Sequence, residues 1–185
     1  GAEIAPGGSG HARFRLEAPL VVLPGDRFVV RSYSPIVTVG GGTVLDVAPP
    51  RFKRKGSALA EHLALLATGG PADVLEEHLR QSGAAGARAA DLRARTPFGP
   101  QQLRDLLEGL QQAGRIVAVD REWYLHRDAD DRLRAQTLAL LAAFHRENPL
   151  RAGISREELR SRVGQAQERV FAQLGCEKVG TESTR

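Results

Sequence analysis

Residues 51–55 read Arg-Phe-Lys-Arg-Lys, with Arg51, Lys53, Arg54 and Lys55 supplying four cations in five positions. Such a cluster on an extended segment suits contact with phosphates. It equally suits a solvated linker, and the residues alone leave both readings open. Just upstream, Gly40, Gly41 and Gly42 stand together in Thr-Val-Gly-Gly-Gly-Thr-Val-Leu-Asp, ending at Asp46. A phosphate-cradling loop needs glycines followed by Lys-Ser/Thr and a helix. Here a β-type run, Thr43-Val44-Leu45, follows instead, and no lysine does. The glycines therefore read as backbone devices, for a bulge, a sharp bend or a close approach of chains.

Other residues that could do chemistry fall short of it. His11, His62, His78, His126 and His145 form neither a metal-binding pair nor a triad signature. His62 and His78 lie on helical patterns and are expected in solvent. Glu76-Glu77 and Glu157-Glu158 fall in first helical turns, where carboxylates favour the helix dipole. Cys176 is the single cysteine, so no internal disulfide forms and no zinc spacing exists. No catalytic residue and no metal ligand is assigned.

The remaining chemistry is that of cations. Ala12–Ala18 alternates, which sends Arg13 and Arg15 to a polar strand face, and Arg31 ends a second strand. Arg88, Arg93 and Arg95 cluster around one short helical pattern with Asp91. The longer helix at 99–114 sets Arg104 against Asp105 and Glu108, so it is net negative. That is a poor face for reading duplex DNA. The candidate polyanion contacts are thus Arg13, Arg15, Arg31, Arg51, Lys53, Arg54, Lys55, Arg88, Arg93 and Arg95.

The elements that must position these groups change character along the chain. The sequence has 185 residues, is 42% hydrophobic and carries a net charge of +4. That is enough apolar material for packed cores, and the charge permits nucleic-acid contact without requiring it. No apolar run reaches the ~20 residues of a membrane helix, and the first ten residues do not read as a signal peptide. Residues 1–50 read as short strands: 12–18, Arg27-Phe28-Val29-Val30-Arg31-Ser32, and one on each side of the glycines. Pro24-Gly25-Asp26 is turn chemistry between them. Pro49-Pro50 ends the β region. Residues 51–127 read as a linker, helices and a hairpin with Asp120-Arg121 at its turn. That order is a winged helix. In the hairpin, Trp123 and Leu125 share a face, expected to pack on Leu106, Leu107 and Leu110. Residues 128–185 begin the order again, with an amphipathic helix over 131–148, a capping box from Ser155 to Glu158, and a further helix over 165–175. No second hairpin is legible. The fold class is mixed β and α: a partial antiparallel barrel, then tandem winged helices, the second incomplete.

The stretch 13–54 closely resembles the third domain of bacterial selenocysteine-specific translation elongation factors. The motifs are Pro-Gly-x-Ser-Gly at 6–10, Gly-Asp-Arg-Phe at 25–28, Arg-Ser-Tyr-Ser-Pro at 31–35 and Thr-Val-Gly-Gly-Gly-x-Val-Leu-Asp at 38–46. The rest of the chain is similar to the family's C-terminal extension of winged helices. The resemblance implies a barrel of the elongation-factor domain III type over 1–50, a first winged helix over 51–127 and part of a second over 128–185. It makes the triple glycine the exit of that barrel.

It also implies a function for the parent. Such a factor binds GTP with magnesium and selenocysteinyl-tRNA, recognises an insertion hairpin in the messenger RNA, and delivers the tRNA to the ribosome at UGA codons in the cytoplasm. This piece would contribute tRNA docking and the arm to the hairpin-binding region. It would carry no cofactor and no GTPase activity, and it would have no membrane partner. The alternatives are a winged-helix DNA-binding transcriptional regulator, or a structural scaffold without nucleic-acid affinity.

Overall fold

The computed structural model describes residues 3–49, 57–151, 153, 154 and 158. They fall into two compact units: Gly1–Gly69 with Arg95–Pro97, and Gly70–Ala94 with Phe98–Arg185.

The first unit is built on a two-stranded antiparallel ribbon, β1 (Arg27–Arg31) and β2 (Thr38–Thr43). The Pro24-Gly25-Asp26 turn starts it. Gly25 takes φ 96° there. The Asp26 carboxylate accepts the Leu23 N–H at 2.8 Å, and the Gly25 N–H donates to the Val44 carbonyl at 2.8 Å. The sequence reading of two strands flanking the glycines is corrected: one strand runs through them. Phe28 pairs with Gly42, Val29 with Gly41 and Val30 with Gly40. The register then slips, so that Arg31 meets Thr38 and Val39 is the extra residue of a bulge.

None of the three glycines has positive φ. Their purpose is space. A Cβ on Gly41 would stand 2.6 Å from the Phe28 carbonyl oxygen, and one on Gly42 would stand 2.8 Å from the Phe28 ring. Of the roles open to them, close approach and an adjoining bulge are what the ribbon uses; a turn at the glycines is not. The alternating stretch 12–18 is not a strand, having no partner strand among the described residues. Its Phe14 ring nonetheless meets Phe28 edge-on, with centroids 5.3 Å apart. Helix α1 (Ser57–Thr68) also belongs to this unit. It buries His62 to 1% exposure, against the expectation of a solvated ring.

The second unit is a winged helix. Helix α2 (Pro71–Ser82) opens with proline at its first turn, where a missing N–H costs nothing, and ends at Gly83. A 3₁₀ turn (Gly83–Ala85) leads to the short strand β3 (Ala87–Arg88), then α3 (Ala89–Arg95) and α4 (Pro100–Gln112). Strands β4 (Ile116–Ala118) and β5 (Trp123–His126) form the wing, and β5 lies between β3 and β4 in one antiparallel sheet. Apolar residues at helical spacing make the core: Leu75 and Leu79 of α2, Leu92 of α3, and Leu103, Leu107 and Leu110 of α4, closed by Ile116. His78, on the α2 face that carries Leu75 and Leu79, is buried at 1% exposure, which corrects the solvated reading there too.

Helix α5 (Arg127–Glu147) follows β5 without a loop and starts earlier than its apolar pattern suggests. Alternation along β5 sends Tyr124 towards the α2–α4 core. Trp123 and Leu125 share the other face, as expected, but not against α4. They pack with Val119, Ala129 and Leu133 in a second cluster under α5. The expected packing on Leu106, Leu107 and Leu110 is therefore corrected: those side chains belong to the Tyr124 side of the sheet. Further along α5, Thr137 and Phe144 are buried. Ser155 and the pattern over 165–175 lie outside the described residues.

Candidate nucleic-acid interface

On β1, Phe28 and Val30 are half-buried, while Arg27, Val29 and Arg31 alternate with them and are exposed. Arg27 and Arg31 are four residues apart, so their Cα atoms are separated by about 14 Å along one strand face. Arg27 is a cation that the sequence reading passed over; the alternation along β1 puts it on the same face as Arg31. Arg13 and Arg15 are exposed as well. Among the described residues, none of these four arginines is paired with a carboxylate. The linker cations Arg51, Lys53, Arg54 and Lys55 lie outside the described residues.

The strands join through a pinned loop. The Ser32 N–H donates to the Val37 carbonyl at 2.8 Å. The Ser32 hydroxyl accepts the Val37 N–H at 3.2 Å and donates to the Pro35 carbonyl. Arg31, Ser32, Tyr33, Ser34 and Ile36 line an open hollow at this end. Past β2, Asp46 is 3% exposed and binds Arg95 at 2.6 Å. It also accepts the Ala48 N–H at 2.9 Å. Arg95 is thus held by a buried carboxylate, whereas Arg93 is exposed. Arg88 is exposed and lies over the Trp123 ring, 5.1 Å from its centroid.

The winged-helix unit spends several of its other charges internally. Arg80 pairs with Glu77, Arg134 with Asp130, and Arg115 with Asp73 and Glu76. On α4, Arg104 donates to the Gln101 side chain, which in turn donates to Asp105 at 2.8 Å. The polar groups a groove-reading helix would offer to bases are here bonded to each other. No group of three or more His, Cys, Asp or Glu is placed to hold a metal among the described residues. No helix among them is long and apolar enough to cross a membrane.

Residues 2–51 match the family model described as the β-barrel domain of the selenocysteine-specific elongation factor. Residues 138–174 match the one described as the winged helix of elongation factor SelB. The chain is built from domains of the selenocysteine-specific elongation factor family. A protein of that name from Desulfomicrobium baculatum is 32% identical over 165 residues, which is 88% of this chain. The chain spans 26% of that relative's length. The barrel match of the elongation-factor family takes in Arg13, Arg15, Arg27, Arg31, the triple glycine and Asp46. Its winged-helix match begins in the middle of α5, at Leu138. That helix therefore serves the wing of one module with Ala129 and Leu133 and enters the next.

Between wing and α5 sits His126, whose partners sequence reasoning missed. Its Nδ1 accepts the Asp128 N–H at 3.2 Å, capping α5. The proton is then on Nε2, which donates to Glu76 at 3.2 Å. Burial, the largest influence, pushes the imidazole below its usual value; Asp128 opposes this, and Arg80, Arg115 and Arg132 reinforce it. Glu76 is already neutralised by Arg115. Because the folded value is depressed, stability is full above about pH 6.5. It falls as pH drops from there to the folded value, because the unfolded chain takes up the proton first. Replacing His126 with Asn keeps a capping oxygen and removes the titration. Urea midpoints at pH 7.5 and 5 will fall more for the wild type than for His126→Asn; equal falls would show that the ring carries no such linkage.

Proposed function

We propose that this chain is part of a selenocysteine-specific translation elongation factor working in the cytoplasm. The parent delivers selenocysteinyl-tRNA to the ribosome at UGA codons with GTP. The barrel unit docks the tRNA, and the winged helices form the arm towards the domain that binds the messenger-RNA hairpin. The observation that carries this reading is the contrast between the units. The barrel unit presents Arg13, Arg15, Arg27 and Arg31 without carboxylate partners among the described residues. Helix α4, the face a DNA reader would use, bonds Arg104, Gln101 and Asp105 to one another. The family matches support the same reading. Arg51, Lys53, Arg54 and Lys55, from the sequence, add positive charge after the barrel. Arg88 and Arg93 are secondary contacts, and Arg95 is reserved for Asp46. The triple glycine runs within a strand and not into a helix, which does not suit a phosphate-cradling loop.

Contacts of this kind go to phosphates, so binding is weak, insensitive to sequence and steep in salt. Changing the four linker cations to glutamine is expected to flatten the log–log salt slope of tRNA binding. The loss is up to about 0.9 per duplex phosphate contact, or about 0.7 per single-strand contact. Replacing Gln101, Gln102 and Arg104 with alanine will change it little. If the α4 variant loses affinity while the linker variant keeps it, the module reads a groove and the proposal is wrong.

A further inference from the structure

Tyr33 is 98% exposed, yet the loop that carries it is pinned by three hydrogen bonds through Ser32. The pinned loop thus carries a large aromatic ring out into water, where its faces are open to a partner. Its surroundings select the partner's chemistry. Residues 27–45 contain two cations, Arg27 and Arg31, and no carboxylate. Both cations lie on one exposed strand face, and Arg31 lines the same hollow as Tyr33. On the neighbouring strand that face carries Thr43, Gly41 and Thr38, so no bulky side chain stands opposite the two arginines, and between them lies only the exposed Val29. A cation beside an exposed ring, with the Ser34 hydroxyl at hand, fits RNA in which a base stands out of its stack.

We infer that the β1–β2 loop is a nucleobase-stacking site. Tyr33 takes an unpaired base on its ring face, while Arg31, with Arg27 further along the strand, contacts the adjoining phosphates. This rests on the tRNA-docking reading and deepens it: the barrel then holds the tRNA at an unstacked nucleotide as well as along its backbone. A protein partner would find the ring equally accessible, but the carboxylate-free, cation-edged face favours a polyanion.

The test uses the whole chain with two probes at matched salt: selenocysteine tRNA, and a blunt RNA duplex of equal phosphate number. Tyr33→Ala is expected to weaken tRNA binding about tenfold without changing the salt slope, because stacking is not ionic. Tyr33→Phe will bind like the wild type, and neither change will affect the duplex. Arg31→Gln will lower the slope by about 0.7. Tyr33 touches no core group, so its variants will fold, and the urea midpoint checks this. If the wild type binds tRNA and Tyr33→Ala binds equally well, the stacking site is refuted while tRNA docking stands; the ring then belongs to a protein contact. If Tyr33→Phe loses as much as Tyr33→Ala, or the duplex is equally weakened, the ring is not stacking on a base. If the wild type binds no RNA, this inference and the docking proposal fall together.

Discussion

Gly86→Ala will destabilise the winged-helix unit by about 4 kcal/mol, from about 2 of backbone strain and about 2 of overpacking. Gly86 has φ 63° and ψ −167°, a region that side-chain-bearing residues avoid. It is also walled in. A Cβ there would stand 2.6 Å from the Trp123 indole nitrogen, 2.6 Å from the Tyr124 carbonyl oxygen and 3.0 Å from Leu125. Two of these three neighbours cannot yield: the carbonyl belongs to the central strand of the sheet, and the indole is bonded to Ala85. Gly83 is the internal control. Its φ is 54°, but a Cβ there meets nothing within 4 Å. Gly83→Ala therefore costs the strain alone, about 2 kcal/mol. Urea unfolding at an unchanged m-value reads both. If Gly86→Ala is no worse than Gly83→Ala, the wing is not packed against the 3₁₀ turn as described.

Trp123→Ala will cost about 3 kcal/mol. The indole N–H donates to the Ala85 carbonyl at 2.9 Å, and its ring carries the Arg88 guanidinium on one face. The ring also covers Val119, Leu125, Ala129 and Leu133. Trp123→Phe keeps most of the apolar contact and loses the hydrogen bond, for about 1 kcal/mol. A double-mutant cycle separates the arrangement found from the one the sequence suggested. Trp123 will couple to Leu133 on α5 and not to Leu107 on α4. A Trp123→Ala cost below about 1 kcal/mol would mean an undocked wing.

That tryptophan illustrates how far the residues alone can be read. Alternation gives the face a strand residue takes relative to its neighbours, and Trp123 and Leu125 do share one. It does not give what lies on that face. The answer depended on α5 following β5 directly, and its cap is His126, a residue type seldom used there. The apolar pattern located α2 and α4 because proline at the first turn and buried leucines agree. It misplaced His62 and His78, since a polar residue on a helix can lie on the covered side. The β region was harder still. Period-two alternation at 12–18 is a local signal, and a strand also requires a neighbour to bond. The glycines read correctly as a backbone device. Their actual use, leaving room for the Phe28 ring and carbonyl, was invisible without the β1–β2 register. At the candidate interface, Arg31 lies on the exposed face of β1, whereas Arg13 and Arg15 are exposed on a stretch that does not alternate. Arg95 was not separable from Arg93 until Asp46, forty-nine residues away in sequence, was found beside it.

The central claim is that the barrel unit, and not the recognition helix of the winged helix, is where this chain meets RNA. The most direct measurement is ultraviolet cross-linking of labelled selenocysteinyl-tRNA to the whole chain, with the linked peptides mapped. The account predicts cross-links within residues 13–33 and 51–55, strongest at Tyr33, and none within 100–112. Cross-links concentrated on α4, with the β1–β2 ribbon unmarked, would contradict it.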